Sequence, residues 1–215
     1  MAPDSALRAV VAFPTFDVAD RQFVESIRAK HDPEARRIAP HFTLVFPAIL
    51  PLRDTEAHIA RVAQSTEPLR FVLRRAAVVP DHLGTAGHIF LLPEDGRDAL
   101  TGLHDRLNQG MPQPQWKRGA PFTPHVTVAA ATTLDPLHAI AGELNARSMN
   151  IRGSVSAIVL VEVTMAEIRQ VAHFDLGALF SGCAYLICFT GKVSSPTRCP
   201  DPRCGGLPAS SVSPS

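Results

Sequence analysis

Cysteine is absent from the first 182 residues of this 215-residue chain; all four (Cys183, Cys188, Cys199 and Cys204) fall in the last 33. The bulk of the chain therefore needs neither a disulfide nor a thiolate metal site. An excess of one charge is missing too, since 21 basic against 20 acidic residues leave +1. No global positive field advertises non-specific nucleic-acid binding, so DNA is not expected and any polynucleotide partner must be held in a local groove. Long hydrophobic runs are lacking: Ala184 to Phe189, the longest near the C-terminus, falls far short of the ~18 residues that cross a bilayer. The opening MAPDSALRAVVAFPTFDV carries Asp4 and an interrupted apolar run, unlike a secretory leader. A cytoplasmic protein without a membrane partner is the expectation. No P-loop, dinucleotide fingerprint or G-x-S-x-G elbow occurs, so ATP-driven ligation and serine-nucleophile chemistry are not indicated.

What is present is a globular composition, 46% apolar and 19% charged, long enough for one large domain or two small lobes sharing a core. Hydrophobic periodicity predicts strands over 7–13, 39–46, 69–79, 88–92, 124–130, 149–155, 157–165 and 168–174. It predicts helices over 20–30, 55–64, 97–108 and 136–145. Their inward faces carry Phe23, Val24 and Ile27; Ile59, Val62 and Ala63; Leu100, Leu103 and Leu107; and Leu137, Ile140, Ala141 and Leu144. Asp54 or Thr55 reads as the cap of the second helix. Residues 109–121 read as a Pro/Gln/Gly-rich loop.

The pattern starts again after the turn PDHLGTAG. Leu7 maps to His88, His41 to His125, Ile59 to Ile140 and Leu69 to Asn150, with offsets of 81 to 84 residues. A unit of this length is no solenoid repeat. It implies pseudo-repeats over about 5–80 and 86–165, within one domain over 1–180, and a cleft between the copies. The expected class is α+β with largely antiparallel sheets. From Ser194 onward 13 of 22 residues are Pro, Ser or Gly. Residues 181–215 are therefore expected to form a disordered tail, in which Cys199 and Cys204, separated by four residues, read as incidental thiols.

The chemistry lies in two strands, PHFTLVF (40–46) and PHVTVAA (124–130). Side chains alternate along a strand. His41 and Thr43 therefore share one face while Phe42, Leu44 and Phe46 take the other, and His125 and Thr127 repeat the arrangement opposite Val126 and Val128. One His-x-Thr is what chance supplies; two at matching positions of a repeat are not. Two imidazoles on opposite sides of a site suit transfer at phosphorus, one taking the proton of the attacking hydroxyl and one protonating the departing oxygen. The threonine hydroxyls would hold the non-bridging oxygens as charge builds. No metal is required by such a layout, no cofactor is expected, and a zinc site would need further ligands close to the histidines.

The paired PHFTL and PHVTV motifs resemble those of the 2H phosphoesterase superfamily, specifically proteins of the 2′-5′ RNA ligase (LigT-like) type, over roughly residues 5–180. The resemblance implies a bilobal duplicated fold whose two facing, largely antiparallel sheets carry outer helices and enclose a cleft. His41, Thr43, His125 and Thr127 would converge there. It also implies a metal-independent phosphodiesterase acting on 2′,3′-cyclic phosphates or 2′-5′ linkages, with RNA ends or small cyclic nucleotides as partners. A monomer is favoured. Which histidine is acid and which is base stays open.

Secondary candidates surround the motifs. Trp116 could stack on a base, and Lys117 and Arg118 could meet phosphate. Phe122 reads as a packing residue. Arg36 and Arg37 read as a solvated pair that could steer an anion. His88 reads as a core or rim residue, His173 as a residue flanking the cleft or merely exposed, and His58, His104 and His138 as helix-surface residues. Two other readings compete with catalysis at phosphorus: an RNA-end or nucleotide binding module with little turnover, and an acyl or thioester hydrolase, for which no nucleophile is marked.

Overall fold

Two antiparallel sheets carry the chain. A computed structural model describes residues 6–81, 84–111 and 121–177; the segment 181–215 and the trio Trp116, Lys117 and Arg118 lie outside the described residues. The elements run β1 (Leu7–Ala12), β2 (Thr15–Phe16), α1 (Val18–His31), a 3-10 turn (Pro33–Arg36), β3 (Phe42–Ile49), α2 (Leu52–Gln64), β4 (Leu69–Pro80), β5 (Gly87–Asp95), α3 (Arg97–Asn108), β6 (Val126–Ala131), α4 (Asp135–Ala146), β7 (Ile151–Val155), β8 (Ala157–Val163) and β9 (Ile168–Asp175). The first sheet has the order β3-β1-β8-β9, the second β2-β7-β4-β5-β6.

The helices form where apolar residues recur every third or fourth position, and those residues are the ones buried. Val24 and Ile27 of α1, Ile59, Val62 and Ala63 of α2, Leu100, Leu103 and Leu107 of α3, and Leu137, Ala141 and Leu144 of α4 all enter the core. One main cluster joins both sheets, taking Val10, Phe42 and Leu44 from the first and Phe71, Leu73 and Ile89 from the second. The sheets meet where the Phe42 and Phe71 rings pack edge to face, their centroids 5.0 Å apart. A smaller cluster of Ala9, Val11, Val159 and Val161 lies apart from it, with Phe13, Val163 and Ile168 half-buried around it.

Two features of the repeat are visible in the pairing. β1 pairs with β3 in the first sheet, and β5 pairs with β6 in the second. The sheets do not divide the chain at its midpoint, however: β4 forms a hairpin with β5, while β8 returns to lie beside β1 and β9 pairs on the far side of β8. The helices cross over similarly, α1 packing on β6 and α3 on β3.

The strand expected to stop before Pro47 runs on to Ile49. β3 is an edge strand, and Pro47 falls in the register irregularity between the Val45–Val10 and Ala48–Arg8 pairs, where it has no ladder partner. The second helix begins at Leu52, so neither Asp54 nor Thr55 caps it; Pro51 precedes it and makes no side-chain cap bond. The two-residue β2 and the 3-10 turn lack a periodicity long enough to read.

Gly96 turns β5 into α3 with φ +79°. A Cβ there would drive into Arg70 O and the Phe71 backbone. Gly96→Ala is therefore expected to destabilise the protein by roughly 2–4 kcal/mol, combining positive-φ strain with a clash that backbone atoms cannot relieve. Urea unfolding followed by circular dichroism checks this, and a loss below about 1 kcal/mol would contradict it.

Candidate active site

The two motif strands are built alike. His41 and His125 each stand just ahead of their strand, and each ring bonds the backbone two residues earlier. His41 Nδ1 lies 2.9 Å from Ala39 O, and His125 Nδ1 lies 2.7 Å from Thr123 O. A carbonyl can only accept, so Nδ1 carries the proton in both rings and Nε2 is the basic nitrogen of each neutral imidazole.

Beyond the histidines both strands break their alternation at the same place. Thr43 pairs with Val11 and Val45 with Val10, so Leu44 is an extra residue, a β-bulge. Thr127 pairs with Phe90 and Ala129 with Ile89, leaving Val128 as the extra residue of β6. A bulge sets two residues of one strand against one of its neighbour, so both can point to the same side. Leu44 with Val45, and Val128 with Ala129, are indeed buried in succession, whereas Thr43 and Thr127 are half-exposed. The alternation predicted from sequence holds through Leu44 and Val128 and fails at Val45 and Ala129, two residues after each threonine; Phe46, expected to share the buried face, is only half-buried.

Side chains directly opposite in a sheet share a face. Thr43 sits opposite Val11 and Val11 opposite Val159, which places Thr43 on the face of the smaller apolar cluster, away from the main core. Phe13, at the edge of that cluster, meets the His41 ring edge to face at 6.2 Å. In the second sheet the Phe90 ring lies flat on His125, with centroids 3.6 Å apart and planes 13° off parallel. His88, two residues earlier and exposed, continues the stack at 6.0 Å.

Behind His41 stands a buried ion pair. Arg28 Nε meets Asp32 Oδ2 at 2.8 Å, and both side chains are nearly sealed from solvent. Arg28 also donates to Ile38 O at 2.9 Å, and Asp32 Oδ1 accepts from Glu34 N at 2.9 Å, so the pair moors the segment leading into the motif. Desolvation holds the His41 pKa below the ordinary imidazole value. The Arg28 charge pushes the same way, while the Ala39 carbonyl and the Asp32 carboxylate push back. His41 is thereby neutral near pH 7.

Three observations bring the two motif strands to one region. α1, which carries Arg28 and Asp32 beside His41, packs on β6. A cavity of about 950 Å³ is bordered by Ala39 and Pro40, just before His41, and by Ala130 of the second motif, and neither the motif histidines nor the threonines line it. On α3, His104 Nδ1 donates to Leu44 O at 2.7 Å, and its ring stacks on Phe122 at 3.7 Å, three residues before His125.

His104 is therefore no helix-surface residue, and neither is His58, whose Nε2 reaches Leu107 O at 3.1 Å. Both are half-buried, His104 on α3 where that helix packs against β3 and His58 on α2 where it meets α3. His138 is exposed, as expected of it, and Phe122 packs against the core. Arg37 is not simply solvated: it meets Glu34 at 2.6 Å and donates to Thr164 O at 2.8 Å. Arg36 is exposed and borders the 950 Å³ cavity. His173, more than half exposed on β9, pairs with Asp175 at 3.0 Å. Among the described residues no three of His, Cys, Asp and Glu are grouped to ligate one ion, and no helix is long and apolar enough to cross a membrane.

The sequence profile of the 2′-5′ RNA ligase superfamily matches residues 16–165, a span that includes both motifs. The chain belongs to this superfamily. A protein of Oceanobacillus iheyensis described as a phosphoesterase is 26% identical over 155 residues, 71% of this chain and 86% of the relative. Among solved structures, TT0787 of Thermus thermophilus superposes with a TM-score of 0.55 at 19% identity, covering 80% of this chain and 98% of that one. Escherichia coli LigT complexed with 3′-AMP gives 0.50 at 16%, covering 80% and 99%. The α+β architecture, two antiparallel sheets with four helices among the described residues, is thus the LigT-like 2H phosphoesterase fold.

Arg28, Asp32, Phe13, Phe90, His104 and Asn108 are the neighbours of the site that sequence reasoning passes over. The Arg28/Asp32 spacing of four on a helix end was a legible signal; the aromatic contacts depend on strand register and were not. The expected behaviour of His41 follows from its surroundings. Its imidazole titrates below the ordinary ~6.5 in an NMR pH series, and Asp32→Asn moves it further down by removing the carboxylate while Arg28 remains. Because protonation is disfavoured in the folded state, its share of stability is intact above about pH 6.5 and is lost as pH falls towards the depressed value. A His41 titration at or above 6.5 would contradict this account.

Proposed function

We propose that this protein is a metal-independent phosphodiesterase that opens 2′,3′-cyclic phosphates or cleaves 2′-5′ linkages at RNA ends or in small nucleotides. The duplicated His-x-Thr-bulge unit supports the reading: the same histidine Nδ1–carbonyl bond and the same strand break recur in both copies. Membership of the superfamily supports phosphoesterase chemistry, and the nucleotide bound by the E. coli LigT structure supports a nucleotide ligand.

His41, kept neutral by desolvation, is the base in ring opening: its Nε2 takes the proton of the attacking water or ribose hydroxyl as the oxygen attacks phosphorus, and the two histidines exchange roles in the reverse direction. His125 is the acid, donating from Nε2 to the departing ribose oxygen. The Phe90 face lying 3.6 Å against its ring suits a cationic imidazolium. Thr43 and Thr127 donate to the non-bridging oxygens as charge accumulates on them. Trp116, Lys117 and Arg118 precede the second motif, where they could contact the base and flanking phosphate. Ring opening by water and 2′-5′ joining by a ribose 5′-hydroxyl differ only in the nucleophile, and 2′-5′ cleavage with ring closure is the reverse of the joining, so a ligase and a phosphodiesterase would share this site.

Turnover of 2′,3′-cyclic nucleotides in EDTA, with products resolved by chromatography, tests the reading. His41→Ala and His125→Ala are each expected to lower kcat by roughly 10²–10⁴-fold. The acidic limb of the wild-type kcat profile should follow the depressed His41 value. The isomer formed identifies the P–O bond that breaks. Wild-type inactivity, or turnover indifferent to both histidines, overturns the assignment; nucleotide binding that persists without turnover would favour a binding module.

A further inference from the structure

We infer that His104 is a positioning residue for the phosphate end of the site, acting on Thr43 through the bulge at Leu44. The inference rests on the proposed reading of Thr43 as a phosphate ligand and adds a residue outside both motifs.

Leu44 falls between the paired residues Thr43 and Val45 and has no partner on β1 in the ladder. Its carbonyl nevertheless takes two donors from one helix: His104 Nδ1 at 2.7 Å and Asn108 Nδ2 at 2.8 Å. Asn108 is itself tied back to His104 O at 2.6 Å. Both donors sit on the face of α3 that packs against β3, one helical turn apart. The Leu44–Val45 peptide group, at the bulge that follows Thr43, is thus gripped from outside its own sheet. A bulge is the point at which a strand most easily changes its twist, and that twist sets the direction in which Thr43 projects.

The other side of the same ring is engaged as well. The Phe122 and His104 planes are 1° from parallel and 3.7 Å apart, and Phe122 leads into Thr123, whose carbonyl fixes His125. His104 therefore clamps the exit of one motif and the entrance of the other. A flat ring with one donor satisfies both demands; an aliphatic side chain satisfies neither, and a phenyl ring only the second.

The substitutions His104→Ala, His104→Phe and His104→Gln test this, each made alone and with Thr43→Ala. The readouts are affinity for inorganic phosphate by calorimetry, kcat and KM for a 2′,3′-cyclic nucleotide, and the thermal midpoint. His104→Ala is expected to weaken phosphate binding about tenfold and to lower kcat by up to roughly 10²-fold through misplacement of Thr43. The pH dependence set by His41 should not move. His104→Phe, which keeps the stack and the packing, should show the same functional losses without a large fall in thermal midpoint. His104→Gln, which can still donate to Leu44 O, should recover most of the affinity. In the Thr43→Ala background His104→Phe, which keeps the stack on Phe122, should cost nothing further, since interacting residues are non-additive.

Full additivity, or a His104→Phe protein with wild-type phosphate affinity, overturns the inference. A wild type that binds phosphate without turning over cyclic nucleotides refutes the phosphodiesterase reading, and the affinity cycle still decides the role of His104. A wild type that binds no phosphate removes Thr43 as a phosphate ligand, and this inference with it.

Discussion

A strand with strict alternation cannot show a polar pair to one side and then bury two successive residues on the other. Both motif strands do this, and the β-bulge after each threonine is what permits it. At Leu44 and Val128 the chain inserts one residue. The histidine and threonine keep the outward face, and the next two apolar side chains enter the core. The site and the core are thereby built from the same short stretch of strand in each copy. Phe42, between His41 and Thr43, is completely buried against Phe71 of the other sheet. Anything that loosens the packing of the sheets therefore also loosens the site.

The local chemistry follows from how each ring is held. A carbonyl two residues upstream fixes the tautomer in both copies, and an aromatic ring from a neighbouring segment fixes the plane, Phe13 for His41 and Phe90 for His125. The asymmetry between the copies comes from α1. Its buried Arg28–Asp32 pair stands near His41, where desolvation already disfavours a second positive charge. Repeated geometry with unequal surroundings is what the proposed division of base and acid roles between the two histidines requires.

Much of this was legible from residue order. The faces of Phe42, Val126, His41 and His125 follow from period two, and all four helices follow from leucine, isoleucine and valine spacing. The bulges also left a trace, the adjacent apolar pairs Leu44–Val45 and Val128–Ala129, but adjacency alone does not distinguish a bulge from a fully buried strand. The passage of β3 through Pro47 depends on β3 being an edge strand, a property of the assembled sheet. His104 and His58 look solvent-facing on a helical wheel because neighbouring helices and carbonyls are invisible there. The exchange of β4, β8 and β9 between the halves cannot be read from matching offsets, since the order of elements is the same whichever sheet they join.

The central claim is that the two His-x-Thr strands serve one anion site. Phosphate titrated into protein carrying ¹⁵N-labelled histidine, with the Nε2 resonances of His41 and His125 followed separately, tests it most directly. The account predicts that both resonances move together along one binding curve, and that Thr43→Ala or Thr127→Ala weakens the response of both. Two independent curves, or a shift at one histidine while the other stays still through saturation, would contradict it.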